Sequence, residues 1–163
     1  MKNICKKTDL TKNFNIELEH IQLEIKHQRG QHLRHFIDQY FCYKKGYVTK
    51  SGKPAWKKIF WNECVSVDAE KNGGKVVKEH IVPISVIKDM LLKLGPNATI
   101  KDIQKILDDF VMFATITKDE DKKLNDAGLK SKMPDTCYVK NNELKEGFDK
   151  FARHTEVGIE LNC

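Results

Sequence analysis

Phe113-Ala-Thr-Ile116 runs without a linker into Thr117-Lys-Asp-Glu120, and this junction constrains the fold more than any other stretch of the chain. The first four residues are apolar and partly β-branched, which suits a strand. Thr117 followed three residues later by Glu120 is a capping box, and it predicts a helix from about Lys118 to Ala127, stopped by Gly128. A strand that passes directly into a helix needs a second strand to satisfy its backbone. Lys75-Val-Val-Lys-Glu-His-Ile-Val82 supplies one: it is β-branched, follows the turn signal Asn72-Gly73-Gly74, and ends its regular pairing at Pro83.

Between these strands the periodicity changes from two to nearly four. Ile84 to Leu94 is helical by pattern and closed at Gly95-Pro96, and Thr99-Ile-Lys-Asp102 is a second capping box. It opens a helix that buries Ile100, Ile103, Ile106, Leu107 and Phe110. The order strand, helical insertion, strand, helix predicts an α+β fold.

Upstream, residues 1–12 are polar, lysine-rich and expected to be mobile. Apolar residues from Phe14 to Tyr43 recur at helical spacing, with Gly30 a candidate break. Tyr47 to Trp56 reads as a short basic hairpin that reverses at Ser51-Gly52, while the pattern of Lys57 to Ser66 does not decide between helix and strand. A C-terminal helix is expected from about Asn142 to His154. The chain then divides into a basic helical and hairpin region, 1–70, and a core, 71–163.

Charge follows that division. Residues 1–60 carry 13 Lys and Arg against 5 Asp and Glu, whereas residues 61–163 carry 16 against 18. The basic half is the one expected to touch a polyanion. No apolar run is long enough to span a membrane, and Met-Lys-Asn-Ile-Cys-Lys-Lys lacks the apolar stretch of a secretory signal, so a cytoplasmic protein is expected. The five cysteines are widely spaced and form no Cys-x-x-Cys pair, so neither a zinc knuckle nor a disulfide framework is indicated and reduced thiols are expected.

Asp121 and Asn125 stand four residues apart, on one face of the helix that begins at Lys118. With Glu79 arriving from the first strand they make a set of two carboxylates and an amide oxygen. Such a set suits a hard cation, Mg²⁺ with Mn²⁺ as substitute, better than zinc. Adjacent strand residues point to opposite faces, so Glu79 and His80 share the ion only if the strand ends or bulges there. Pro83 gives a reason for such a break.

Val77-Lys-Glu-His-Ile-Val-Pro-Ile-Ser85, followed by Thr115-Ile-Thr-Lys-Asp-Glu-Asp-Lys-Lys-Leu-Asn125, resembles the ββα-metal (HNH, or His-Me finger) endonucleases. Both blocks look like the nuclease domains of DNase colicins, and His80-Ile-Val-Pro83 is similar to the HNH domain of RNA-guided nucleases. The match covers roughly residues 75–134. It implies a ββα-metal core with a helical insertion between its strands, flanked by N-terminal and C-terminal helices. By position it makes Glu79, Asp121 and Asn125 the metal ligands and His80 the general base. Colicins carry histidines at those ligand positions, which shifts the expected metal here towards Mg²⁺, and the insertion 86–112 is longer and helical.

The implied activity is hydrolysis of DNA to a 5′-phosphate and a 3′-hydroxyl, in a restriction, phage or mobile-element setting. The rival expectations are a protein on the same scaffold that binds nucleic acid or inhibits a nuclease without cutting, a bacterial DNase toxin, and an RNase. A double-strand cutter with one site per chain calls for a homodimer. Glu120 or Asp119 replaces Asp121 if the helix register slides, although Asp121 has a short amide at i+4 where Glu120 has Leu124. Lys57 and Lys58 are candidate DNA contacts with the neighbouring aromatics, Trp61 among them, which read equally well as core. Lys75, Lys78 and Lys118, or Arg153 and His154, are candidates to neutralise the scissile phosphate. His27, His32, His35 and Cys42 fit no recognised metal spacing and read as part of a basic helix.

Overall fold

The computed structural model describes residues 7–163, which form an α+β fold divided into two compact units. Among the described residues, one unit combines 7–59 with 87–111, and the other combines 60–86 with 112–163.

In the first unit, α1 (Lys7–Lys26) packs on α2 (Leu33–Lys45) and on α5 (Ile100–Phe110). The helical spacing from Phe14 onward is therefore two helices, interrupted around Gly30, and α1 already includes residues 7–12. Leu18, Ile21 and Ile25 of α1, Leu33 and Ile37 of α2, and Ile103 and Leu107 of α5 are all buried. Thr99 and Asp102 make the expected reciprocal cap at the start of α5. The hairpin is a small one: Thr49 N–H donates to Lys53 (2.8 Å), Ala55 N–H donates to Tyr47 (2.8 Å), and Gly52 takes the left-handed turn at φ 81°. Trp56–Ile59 is a single 3₁₀ turn. Helix α4 (Ile84–Lys93) runs across the chain position where one unit gives way to the other.

The second unit is built on a sheet of order β2-β3-β1-β4. Its strands are β1 (Cys64–Ser66), β2 (Val76–His80), β3 (Phe113–Thr117) and β4 (Leu161–Asn162). β2 and β3 pair antiparallel over five residues, β1 is parallel to β3, and β4 is antiparallel to β1. As the Thr117–Glu120 box predicts, β3 passes straight into α6 (Lys118–Asp126), and both halves of the box are made. Ser66 ends β1 and caps the short α3 (Val67–Asn72) by accepting from Ala69 N–H, while its hydroxyl donates to Glu120 at 2.6 Å. Leu124 of α6 packs with Ala114 and Ile116 of β3, Cys64 of β1, and Ile81, Leu129 and Ile159.

Two expectations fail here. The helix expected over Asn142 to His154 is only α7 (Ala152–Glu156), five residues long. Asn142 sits at φ 58°, Gly147 at φ 67°, and Tyr138 bridges Leu144 across a turn, so the backbone is committed to reversals before a helix can start. The cysteines are also not all reduced: Cys64 and Cys163 form a disulfide. The β1–β4 register that pairs Val65 with Asn162 and Ser66 with Leu161 sets these two cysteines opposite each other, although 99 residues separate them in sequence. No described helix is long and apolar enough to cross a membrane.

Candidate functional site

The two faces of the β2–β3 pair carry different chemistry. Val76↔Thr117 through His80↔Phe113 is an unbroken register, and Ile81 N–H extends it by donating to Met112 O at 2.9 Å. No bulge turns the strand at Glu79, so Glu79 and His80 point to opposite faces.

Glu79 lies opposite Ala114, on the face covered by α6. Its carboxylate accepts from Arg153 Nη2 at 2.7 Å and is 18% exposed. Arg153, on α7, has no exposed surface. Its Nε donates to Ile81 O (2.8 Å), its Nη1 to Leu129 O (2.9 Å), and its Nη2 also to His80 O. One guanidinium therefore ties the end of β2 to the loop after α6. Burial pulls the Arg153 pKa below its ordinary value, and the Glu79 and Asp121 carboxylates push it back up. Asp121 is half-buried in the first turn of α6.

Asn125 is exposed, and its amide nitrogen donates to Asp121 O at 3.0 Å and less closely to Asp121 Oδ2 at 3.4 Å. Of the rival acids, Glu120 is buried and occupied, accepting from Thr117 N–H (2.8 Å) and from Ser66. Asp119 is exposed. Of the three acids, Asp121 is the one that the Asn125 amide meets.

The oxygens of Glu79, Asp121 and Asn125 fit a hard cation in kind. In placement the fit is divided. Asp121 and Asn125 touch each other, whereas Glu79 is already engaged by a fixed positive charge. Among the described residues no group of three or more His, Cys, Asp or Glu side chains is arranged to hold a metal ion.

His80 is on the other face. It is 7% exposed, and its ring lies 4.3 Å from that of Phe113, its cross-strand partner. Lys78, two residues back and so on the same face, carries its ammonium 5.2 Å from the Phe113 ring centre. Trp61 joins this face through its backbone, since its N–H donates to Thr115 Oγ1 at 3.0 Å and Thr115 is the cross-strand partner of Lys78.

The remaining basic candidates separate into groups. Lys75 and Lys118 are exposed and linked through their backbones, Lys118 N–H donating to Lys75 O at 3.0 Å at the far end of the strands from His80. Lys57 and Lys58 are exposed on the 3₁₀ turn of the other unit, where Lys58 Nζ donates to Val48 O at 2.7 Å. Arg153 and His154, the other candidates to meet a phosphate, cannot do so because both are buried. His154 is 1% exposed and neither ring nitrogen has a hydrogen-bond partner in the protein. Burial, and then the neighbouring Arg153 charge, push its pKa down to about 3. Arg153's structural role leaves no signature in the sequence, because its partners lie 24 to 74 residues away.

Compared with protein families, curated proteins and solved structures, the chain matches none of them.

Proposed function

We propose that the chain is a metal-dependent endonuclease of the HNH type, hydrolysing DNA phosphodiester bonds. One observation carries this reading. β2 and β3 pair antiparallel, β3 enters α6 directly, and Glu79 lies on the side of that pair against which α6 packs. This strand–strand–helix order is what the resemblance of the two sequence blocks implies.

In this reading Glu79, Asp121 and Asn125 are the residues that would hold one Mg²⁺, or Mn²⁺ in its place. The ion would stabilise charge on the phosphoryl and leaving oxygens. His80 is the general base that the resemblance implies, a role worth ~10²–10⁴-fold that would require its ring to leave the Phe113 face it occupies. Arg153 fixes the Glu79 carboxylate and the His80 carbonyl, and Lys75, Lys78 and Lys118 offset the charge of the bound strand.

A second reading is favoured by two particulars. Arg153 already supplies Glu79 with a positive partner, and His80 turns away from the carboxylates. Both suit a protein that binds nucleic acid on this scaffold without cutting it. Plasmid nicking separates the two. The nuclease reading expects cleavage with Mg²⁺ or Mn²⁺, none with chelator, and a loss of about 100-fold or more in His80→Ala. Intact plasmid under both ions, or unchanged cleavage by His80→Ala, gives the field to binding alone. Repeating the assay on RNA fixes the substrate.

A further inference from the structure

Among the described residues, the large apolar side chains left in water are Ile16, Leu23, Trp61 and Val139, and Trp61 is the aromatic among them, with half of its surface exposed. An indole is a side chain with much to gain from burial, and exposure alone is common for a single apolar residue, so the case rests on what else is unusual about Trp61.

The backbone of Trp61 sharpens the question. Its φ of 65° is in the left-handed region, where a bulky side chain is disfavoured and glycine is the usual occupant. The conformation is held from the sheet: Trp61 N–H donates at 3.0 Å to Thr115 Oγ1, and Thr115 is buried. Thr115 is itself clamped between Lys78 of β2 and Val65 of β1. A strained, sheet-anchored residue that presents its side chain outward has a fixed orientation, and strain of this kind concentrates where a ligand is met.

The same cross-strand pair supplies charge. Lys78 lies opposite Thr115, and its ammonium is carried over the Phe113 ring. Thr115 thus relates an exposed π surface, tied to it through the Trp61 N–H, to its cross-strand partner Lys78, and that pairing matches one ligand chemistry well: a nucleobase to stack and its phosphate to pair. The base must be unpaired, because within a duplex both of its faces are already covered.

We propose that Trp61 is a fixed stacking platform for an unpaired nucleobase, with Lys78 holding the adjoining phosphate. This rests on the nucleic-acid part of the reading above and not on cleavage.

The test is binding of a single-stranded oligonucleotide, and of a duplex of the same sequence, to the full chain in chelator. The sequence has two tryptophans, so Trp56→Phe leaves Trp61 as the reporter. Saturating single strand is expected to quench its emission, and duplex to do so much less. Trp61→Gly removes the indole while suiting the left-handed backbone, so the fold is retained. It is expected to weaken single-strand binding about 10- to 100-fold with the slope against salt unchanged. Trp61→Phe keeps most of the affinity, and Lys78→Ala lowers the salt slope by about one.

Unchanged affinity in Trp61→Gly, unmoved emission at saturation, or failure of wild type to bind any oligonucleotide overturns the proposal. Loss of binding in Trp61→Gly by a protein that never cuts plasmid upholds it while removing the nuclease reading. Cleavage by a protein whose Trp61→Gly variant binds normally does the reverse.

Discussion

The two faces of the β2–β3 pair are made from alternate residues of the same five-residue strands, yet they solve opposite problems. On the Glu79 face buried charges join one element to another: Arg153 reaches a carboxylate and three carbonyl oxygens, and Glu120 joins α6 to β1 through Ser66. On the His80 face the aromatic and basic groups are layered from the buried Phe113 to the half-exposed Trp61. The first face spends its polar chemistry on holding the fold together. The second keeps some of it turned towards water. A strand with one residue per face at each step can serve both purposes only because its register is unbroken.

The largest effect that would break this contrast lies at Arg153. Replacing it by Met keeps the bulk but strips Glu79 of its cation and leaves the carbonyls of His80, Ile81 and Leu129 short of a donor. Removing one partner of a buried pair costs about 3–5 kcal/mol. Urea unfolding of Arg153→Met is expected to show a loss of that size with an unchanged m-value. A loss below about 1 kcal/mol would mean that packing around Leu124 and Ile116, and not this network, holds the face together.

Protonation offers a smaller lever at the neighbouring residue. His154 is neutral in the folded protein because its pKa is held near 3, whereas the unfolded chain takes up a proton near the ordinary 6.5. Its contribution to stability is therefore complete above about pH 6.5 and is lost as the pH falls towards 3. At pH 5 the loss amounts to about 2 kcal/mol. His154→Leu, which removes two buried nitrogens without hydrogen bonds, is expected to flatten the change in stability between pH 7 and pH 5 without lowering stability at pH 7. Equal slopes for the two proteins would show that His154 reaches solvent.

These two sites also mark where sequence reading stops. The Thr99–Asp102 and Thr117–Glu120 boxes were legible because each is settled by hydrogen bonds within four residues. The β2 and β3 strands were legible from β-branched runs bounded by turn residues. Asp121 and Asn125 could be placed together because helical spacing alone decides it. Arg153 was visible only as a positive charge, since what makes it structural is a reach of 74 residues to Glu79. The Cys64–Cys163 disulfide depends in the same way on a strand register that two-residue β4 does not advertise. The discontinuous first unit, in which 87–111 belongs with the N-terminal helices, follows from packing of apolar faces that look equivalent in sequence. Nor does any local pattern announce that Trp61 adopts a positive φ, because tryptophan is a residue from which that conformation is least expected.

The smallest stability effect is therefore the most instructive. Trp61→Gly loses an indole already half in water and gains a residue at ease at φ 65°. Burial of the remaining half stabilises by about 1–1.5 kcal/mol, and the left-handed strain it relieves is worth about 1–2 kcal/mol. The two nearly cancel, so the melting temperature is expected to stay within a few degrees of wild type or to rise slightly. Thr115→Val, by contrast, removes the acceptor from a backbone N–H and leaves the strain in place. If Trp61→Gly instead destabilised the protein by 2 kcal/mol or more, Trp61 would be a packing residue and the two faces would be alike. A neutral result means that folding gains nothing from a tryptophan at this position, and the reason for having one must lie in what the exposed face binds.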